Sequence, residues 1–550
     1  MRHQRRGDVI VRLVFALAAG VVYQYAFAPY LIWPLAVPAL AMIAWAVLGR
    51  GFWFGALSGA LFGVGFWTGH IIWLTEYLGA VPWIALSAAM TAFCALGCAI
   101  GGFLTRRRLM RQTHPALIAL VWAIVWTARE AVFSRMPYGG FAWGEAAHSQ
   151  SNAPTIGLSS WLGLAGLTLA LVFVSALPVT WMLSRRPVRR PLVVGVVLLV
   201  LGMLVPAWGA IVPAQGSVRI AAVQGNANAG LFSNAQPGEI LANHLAAARQ
   251  IMHDDFDVMV WPENAVDLDV LRNRQAHAQI EAFVDEMGRP LVLGSVTKRG
   301  DDFYNSVVLW MPKGMSAPAG LTDERDDGAA EPAVSGVDPT TTSGGPVQIY
   351  DKKHPVPFAE YMPDRWLFHP IAPDLVDLVP RGYTFGQRTG NFQIPSGDTA
   401  NDAVNAGVLI CFETGDSDLV HAAVAGGAQL LLAPTNNADF GQTAESAQQM
   451  AIARANAVAA ARSLVNISTV SSSAVIAPDG AFIDRLPDFE PGTMVQDVPL
   501  QGSLAPGFFA GPVITWGSVA ATVLMIVGEV VTRRRDRRLG QQITARSGRI

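Results

Sequence analysis

The chain has 550 residues, of which 52% are hydrophobic and only 15% charged, and a mean hydropathy of +0.35. That excludes an ordinary soluble globular protein and an intrinsically disordered one, and reads as a membrane protein with a soluble part. Its net charge of -2 hides short arginine runs and a middle third rich in acids, and its three cysteines exclude a disulfide framework.

Apolar runs of roughly the 20 residues a bilayer requires occur at about 9–28, 31–48, 52–74, 80–104, 115–133, 158–183 and 191–212, with an eighth at about 509–531. No small-residue cleavage site follows the first, so it reads as a retained span. Arg2, Arg5 and Arg6 precede the first run, and Arg50 separates the second and third. Arg106, Arg107, Arg108 and Arg111 separate the fourth and fifth; Arg185, Arg186, Arg189 and Arg190 the sixth and seventh; Arg533, Arg534, Arg535, Arg537 and Arg538 follow the eighth. With eight spans, every cluster falls on one side, so both termini are expected in the cytoplasm and the segment between the last two spans outside. The expected division is a bundle of seven spans (1–212), an extracytoplasmic domain (213–507), an eighth span (508–531) and a basic cytoplasmic tail (532–550). The arginine runs are topology signals, and no nucleic-acid partner is expected.

Cys94 and Cys98, four residues apart in the fourth run, read as helix packing. Arg129 and Glu130 near the outer end of the fifth run, with His70 and Glu76 near that of the third, either knit helices together or line a polar face toward the outer domain. The loop 137–144, rich in glycine and aromatics, lies on that same side and suits the lipid interface.

The outer segment alternates strands and helices. Strands are expected at 218–224, 258–261, 290–296, 304–310, 347–350, 405–411, 430–433, 464–470 and 474–477, with helices at 237–252, 270–287 and 444–462, an α/β pattern with largely buried strands. The stretch 313–345, rich in Gly, Pro, Ser, Thr and acids, reads as a disordered excursion.

Three motifs carry chemistry. Val408-Leu409-Ile410-Cys411-Phe412-Glu413 runs a buried strand into a cysteine where a helix is expected to begin, a setting that favours a nucleophilic thiolate. Trp261-Pro262-Glu263-Asn264 places a carboxylate at a strand's C-terminal edge. Tyr350-Asp351-Lys352-Lys353-His354-Pro355-Val356-Pro357-Phe358-Ala359-Glu360-Tyr361 supplies a lysine beside both. A carboxylate that moves protons, a cation that stabilises an oxyanion and a thiol that forms a covalent intermediate make a complete acyl-transfer set. The apolar segment 366–379 reads either as a packed loop or as a lipid-contacting arm or lid, with Trp366, Phe368 and Tyr361 as candidate contacts.

Trp-Pro-Glu, Tyr-x-Lys-x-His and a strand ending in Cys-x-Glu, in that order, resemble the nitrilase superfamily, and Val223-Gln224-Gly225-Asn226, Tyr304-Asn305-Ser306 and Thr435-Asn436-Asn437 extend the likeness across the outer segment. With eight spans around it, the chain resembles the apolipoprotein N-acyltransferases of bacterial inner membranes. The resemblance implies a polytopic membrane domain carrying an αββα nitrilase-like sandwich, with Glu263 as general base, Lys352 as oxyanion lysine and Cys411 as nucleophile. Glu360 and Glu413 would be the family's further carboxylates, and the Phe412 N–H would serve the oxyanion. It also implies a phospholipid acyl donor, a diacylated apolipoprotein acceptor, no cofactor and no metal. In actinobacterial relatives a polyprenol-phosphate-mannose synthase is joined to such a chain or works beside it; no such domain is present here. Ala359, Pro355 and Asn264 depart from the family pattern, bearing on substrate preference. Two other readings use the same residues: a membrane-anchored amidase acting on a small molecule, and a non-enzymatic membrane scaffold.

Overall fold

The computed structural model describes residues 2–106, 113–184, 186–228, 236–315, 344–379, 382–396 and 403–547. Arg107, Arg108, Arg111, Arg185 and most of the expected 313–345 excursion lie outside them. The apolar runs become helices: α1 (Arg2–Gln24), α2 (Ala36–Val47), α3 (Phe52–His70), α4 (Ala80–Leu104), α5 (Pro115–Phe133), α6 (Ser159–Leu183) and α7 (Arg189–Met203). Among the described residues, five helical stretches are long and apolar enough to cross a membrane: 7–24, 80–104, 115–133, 154–183 and 506–538. The helix at 33–47 is apolar but short, and α7 ends at Met203, short of the expected 212. The structure thus supports a multi-span helical region, while the count of eight rests on the apolar runs of the sequence.

Helices α3 and α4 approach closely because one face is stripped of side chains. A Cβ on Gly55 would lie 2.4 Å from the Cys98 carbonyl oxygen, and one on Gly59 2.4 Å from that of Cys94. Cys94 and Cys98 are accordingly buried packing residues, the small-residue contact that membrane helices favour.

The remaining chain forms two six-stranded sheets. One contains β1 (Ser217–Gln224), β2 (Val258–Val260), β3 (Leu291–Arg299), β4 (Asp302–Met311), β5 (Gly345–Asp351) and β12 (Gly492–Pro499), in the order β12-β1-β2-β3-β4-β5. The other contains β6 (Asn391–Pro395), β7 (Ala403–Val408), β8 (Leu430–Thr435), β9 (Ser463–Ser468), β10 (Ala474–Ile476) and β11 (Phe482–Arg485), in the order β11-β10-β9-β8-β7-β6. In each sheet three central strands are parallel and the flanking pairs antiparallel.

Alternation along the strands sets the layers. Ile220, Val260, Val292 and Leu309 of the first sheet meet Val408, Leu432, Val465 and Ile467 of the second in one apolar core. The opposite faces, through Val223, Trp261, Leu293 and Trp310 on one side and Leu431, Ala433 and Leu464 on the other, lie under helices. These are α8 (Glu239–Ala248) and α9 (Arg274–Met287) outside the first sheet, α10 (Ser417–Ala425) and α11 (Glu445–Ala460) outside the second. The result is an αββα sandwich. The last helix, α12 (Pro506–Ser547), runs on through the basic tail as one element.

The sandwich is seated on one end of the bundle by specific contacts. Trp73 Nε1 donates to Gln448 Oε1 (2.9 Å), and Gln448 Nε2 to the His70 carbonyl (2.8 Å). Arg135 makes two 2.7 Å bonds to Asp418, and the His421 ring stacks on Phe508 at 4.1 Å.

Candidate active site

Cys411 follows β7 after two further extended residues; the Leu409 N–H still pairs with the Leu432 carbonyl (2.9 Å). At Cys411 the backbone turns sharply, with φ of +53°, a left-handed conformation that a non-glycine residue adopts only when its surroundings enforce it. The enforcing group is Glu413. Its fully buried carboxylate accepts from the Ile410 N–H (2.8 Å), the Lys353 and His354 N–H groups (2.6 and 3.1 Å) and the Tyr350 hydroxyl (3.0 Å). One side chain therefore ties the cysteine turn to the lysine loop. Burial pushes the Glu413 carboxyl above its ordinary range, against the pull of those N–H groups and Lys352.

Lys352 is 1% exposed. Its Nζ lies 3.1 Å from Glu263 Oε1 and 2.9 Å from the Glu360 carboxylate. Burial disfavours its charge, but Glu263 and Glu360 outweigh that and hold its pKa well above the ordinary lysine range, so it is a fixed cation. Asn305 Nδ2 bridges the same two carboxylates at 2.6 and 2.8 Å, the Asn436 N–H donates to Glu263 Oε2 (2.8 Å), and the Val356 N–H holds Glu360 (2.6 Å).

The helix start that the sequence places at Cys411, as a setting that favours a thiolate, differs in the structure in two respects. Cys411 opens only a short 3-10 turn, Cys411–Gly415, before α10. Burial, reinforced by Glu263 and only partly offset by Lys352, pushes its pKa well above the ordinary thiol range, so the sulfur rests as a thiol. Phe412, beside it, stacks on Trp143 at 5.7 Å and Phe141 at 6.5 Å, which brings the aromatic loop after α5 over the site.

Glu263, Lys352, Cys411, Glu360, Glu413 and Phe412 thus converge, and Lys352 rather than the partly buried Lys353 reaches the carboxylates. Of the candidate lipid contacts, Trp366 is 76% exposed. Phe368 instead packs edge-on to Phe358 (5.0 Å), and Tyr361 to Phe385 (4.9 Å). Arg129 and Glu130 pair at 3.0 Å, and Glu130 also accepts from Trp126, Thr168 and the Ala146 N–H, the helix-knitting alternative. Glu76 is exposed, whereas buried His70 holds the Trp143 carbonyl at 3.0 Å.

Sequence reasoning assigned no role to Asn305, Asn436, Tyr350, Glu445 or Gln449. The first three stood in quoted motifs, but nothing local to the helix α11 marks the last two, whose orientation is set by docking.

Residues 19–177 match the family model described as Apolipoprotein N-acyltransferase N-terminal domain, and residues 219–503 that described as Carbon-nitrogen hydrolase. The chain is 30% identical to the apolipoprotein N-acyltransferase of Mycolicibacterium smegmatis, an alignment covering 95% of this chain and 85% of the relative. It is 26% identical to that of Photobacterium profundum, over 90% of each chain, and 25% identical to that of Shewanella oneidensis, over 89% and 90%. Among solved structures it is similar to a mutant of a nitrilase-superfamily amidase from Nesterenkonia, at 17% identity and a TM-score of 0.34, covering 52% of this chain and 93% of that one.

Proposed function

The chain belongs to the apolipoprotein N-acyltransferase family, and from that premise we propose a ping-pong acyl transfer run by Cys411, Glu263 and Lys352. The donor is a membrane phospholipid and the acceptor the N-terminal α-amine of diacylglyceryl-cysteine in an apolipoprotein, the last step of bacterial lipoprotein maturation.

An unperturbed thiol has a pKa of ~8.5, and Cys411 lies well above its ordinary value, so attack requires that Glu263 take the proton as the S–C bond forms. Lys352, already charged, stabilises the oxyanion of the tetrahedral intermediate with backbone N–H groups, Phe412 among them. Collapse expels a lysophospholipid, protonated by Glu263, and leaves a Cys411 thioester. The α-amine then attacks the thioester, the amide forms and the thiol is restored. Glu360 and Asn305 hold Lys352 and Glu263 in register, and Glu413 holds the cysteine turn.

The observation that carries the reading is the Lys352 ammonium bonded to both Glu263 and Glu360 beside a buried cysteine on a left-handed turn, under an aromatic loop that belongs to the helical bundle. A site seated there suits two lipid substrates, with the exposed Trp366 segment as a lipid-contacting arm. The companion topology is seven spans before the catalytic domain and one after it, in the bacterial inner membrane, with the domain boundaries given above, the catalytic domain extracytoplasmic and both ends of this chain cytoplasmic.

The test is reaction of the purified protein with phospholipid and a diacylated lipopeptide. Equimolar N-acylated peptide and lysophospholipid is the expected result; hydrolysis of small amides with no acylated peptide would put the amidase reading in its place.

A further inference from the structure

The second half-reaction has a requirement the triad does not meet. An α-amine at neutral pH is largely an ammonium, which cannot attack a carbonyl, and it must shed one proton before attack and another during it. Glu263 can return only the proton that belongs on sulfur.

Helix α11 carries Glu445 and Gln449 four residues apart, hence on one face, and that face is turned to Cys411: Gln449 Nε2 donates to Sγ at 3.4 Å, and the Glu445 charge acts on the thiol. Both side chains are 2% exposed, yet Glu445 Oε2 and Gln449 Oε1 have no hydrogen-bond partner among the described residues. Asn305, whose Nδ2 bridges Glu263 and Glu360, likewise has a buried Oδ1 without a partner among the described residues. A buried acceptor left without a donor destabilises the fold. A carboxylate serving only the start of α11 could satisfy the helix dipole from the surface. Unpaired acceptors on the helix face turned to the cysteine complement a group with several N–H donors. The charge agrees, for Lys352 is outnumbered by Glu263 and Glu360.

We propose that Glu445, with Gln449, receives the α-ammonium of the acceptor and takes one proton from it, so that a free amine attacks the Cys411 thioester. The inference rests on the acyl-transfer reading above. One proton passes from nitrogen to the Glu445 carboxylate, leaving a neutral amine and a neutral carboxyl. The nitrogen bonds to the thioester carbon, the C–S bond breaks, and a second nitrogen proton passes through Glu263 to the departing sulfur. Amide and thiol result, and Glu445 releases its proton to solvent.

The proton affinities match. Burial and Glu263, against a hydrogen bond from Ser446, raise the Glu445 carboxyl to about 8, level with the ~7.7–8.0 of an α-amine; mostly protonated at neutral pH while the site is empty of acceptor, it becomes the base as the approaching ammonium favours its ionised form. An ordinary glutamate, at ~4.3, would be a poor base for that ammonium.

The experiment separates the two halves on the full chain in detergent. Wild type and Glu445→Gln are first charged with phospholipid, the acyl-enzyme is measured by intact mass, and its discharge is then timed with a diacylated lipopeptide and with hydroxylamine, which is neutral at pH 7. For Glu445→Gln the expected result is an acyl-enzyme that discharges to the lipopeptide about 100-fold more slowly than wild type, while discharge to hydroxylamine changes far less. Equal slowing with both nucleophiles, or lipopeptide transfer at the wild-type rate, overturns the proposal and leaves the acyl-transfer reading standing. Absence of an acyl-enzyme on wild type removes that reading itself. If Glu445→Gln is not acylated, Glu445→Ala is put through the same steps with the same criteria, and thermal melting reports folding. Folded variants that both fail to acylate place Glu445 in the first half-reaction and also overturn the proposal.

Discussion

Two stretches that follow one another in the chain, 350–361 and 364–379, are built in opposite ways. In the first, Tyr350, Asp351 and Lys352 are buried, and their polar atoms are bonded to Glu413, Ser306, Glu263 and Glu360. In the second, Trp366 and Ile371 are 76% and 75% exposed, while Val376 and Val379 are buried and Arg365 bonds the carbonyls of these two valines. The difference is the one the proposed roles require. Charges proposed to act on a bond have to be fixed and kept from water, whereas apolar side chains proposed to meet lipid must not be consumed by the protein's own core.

The largest effects are expected in the fixed stretch. Lys352→Met leaves Glu263 and Glu360 facing each other without their cation, so acylation should fall by at least about 100-fold and stability by about 3–5 kcal/mol, read by product formation and thermal melting. Tyr350→Phe removes one of several bonds to Glu413 and should cost only about 1 kcal/mol, with activity lost in proportion to the shift of the cysteine turn. In the exposed stretch, Trp366→Ser should change stability by no more than about 0.5 kcal/mol while lowering turnover of phospholipid in vesicles. Phe368→Ser, packed on Phe358, should lose about 1–2 kcal/mol as well. Equal stability losses at both positions would erase the contrast.

The smallest effect concerns the edge between the two environments. The Asp416 carboxylate, 2.5 Å from His354 Nδ1, raises the His354 pKa above its usual value, with burial opposing. A raised folded pKa stabilises the fold fully below the unfolded value of ~6.5 and loses that contribution as pH rises through the elevated one. The melting temperature of His354→Asn should therefore trail wild type at pH 6 and converge with it at alkaline pH, by a modest margin because the imidazole is 41% exposed.

Much of this was legible in the sequence. Continuous apolar runs located the central strands, because parallel strands buried on both faces keep no polar side. The fourth and fifth helices match their expected bounds. The strands β6, β11 and β12 were not singled out, since they lie at sheet edges or carry mixed patterns such as the alternating exposure of Phe482–Arg485. The residues of the site were legible through their motifs, but not its electrostatics. Cys411 is a resting thiol because it is buried and faces Glu263, and its neighbour Phe412 stacks on Phe141 and Trp143, which stand some 270 residues earlier in the chain. No local pattern marks that contact, nor the face of α11 that aims Glu445 and Gln449.

The most direct test of the account is the intact mass of the protein after incubation with phospholipid alone, for wild type and Cys411→Ala. One added acyl chain is expected on wild type, removed by hydroxylamine and absent from Cys411→Ala. An acyl adduct that survives in folded Cys411→Ala, or none on folded wild type with accessible lipid, would contradict it.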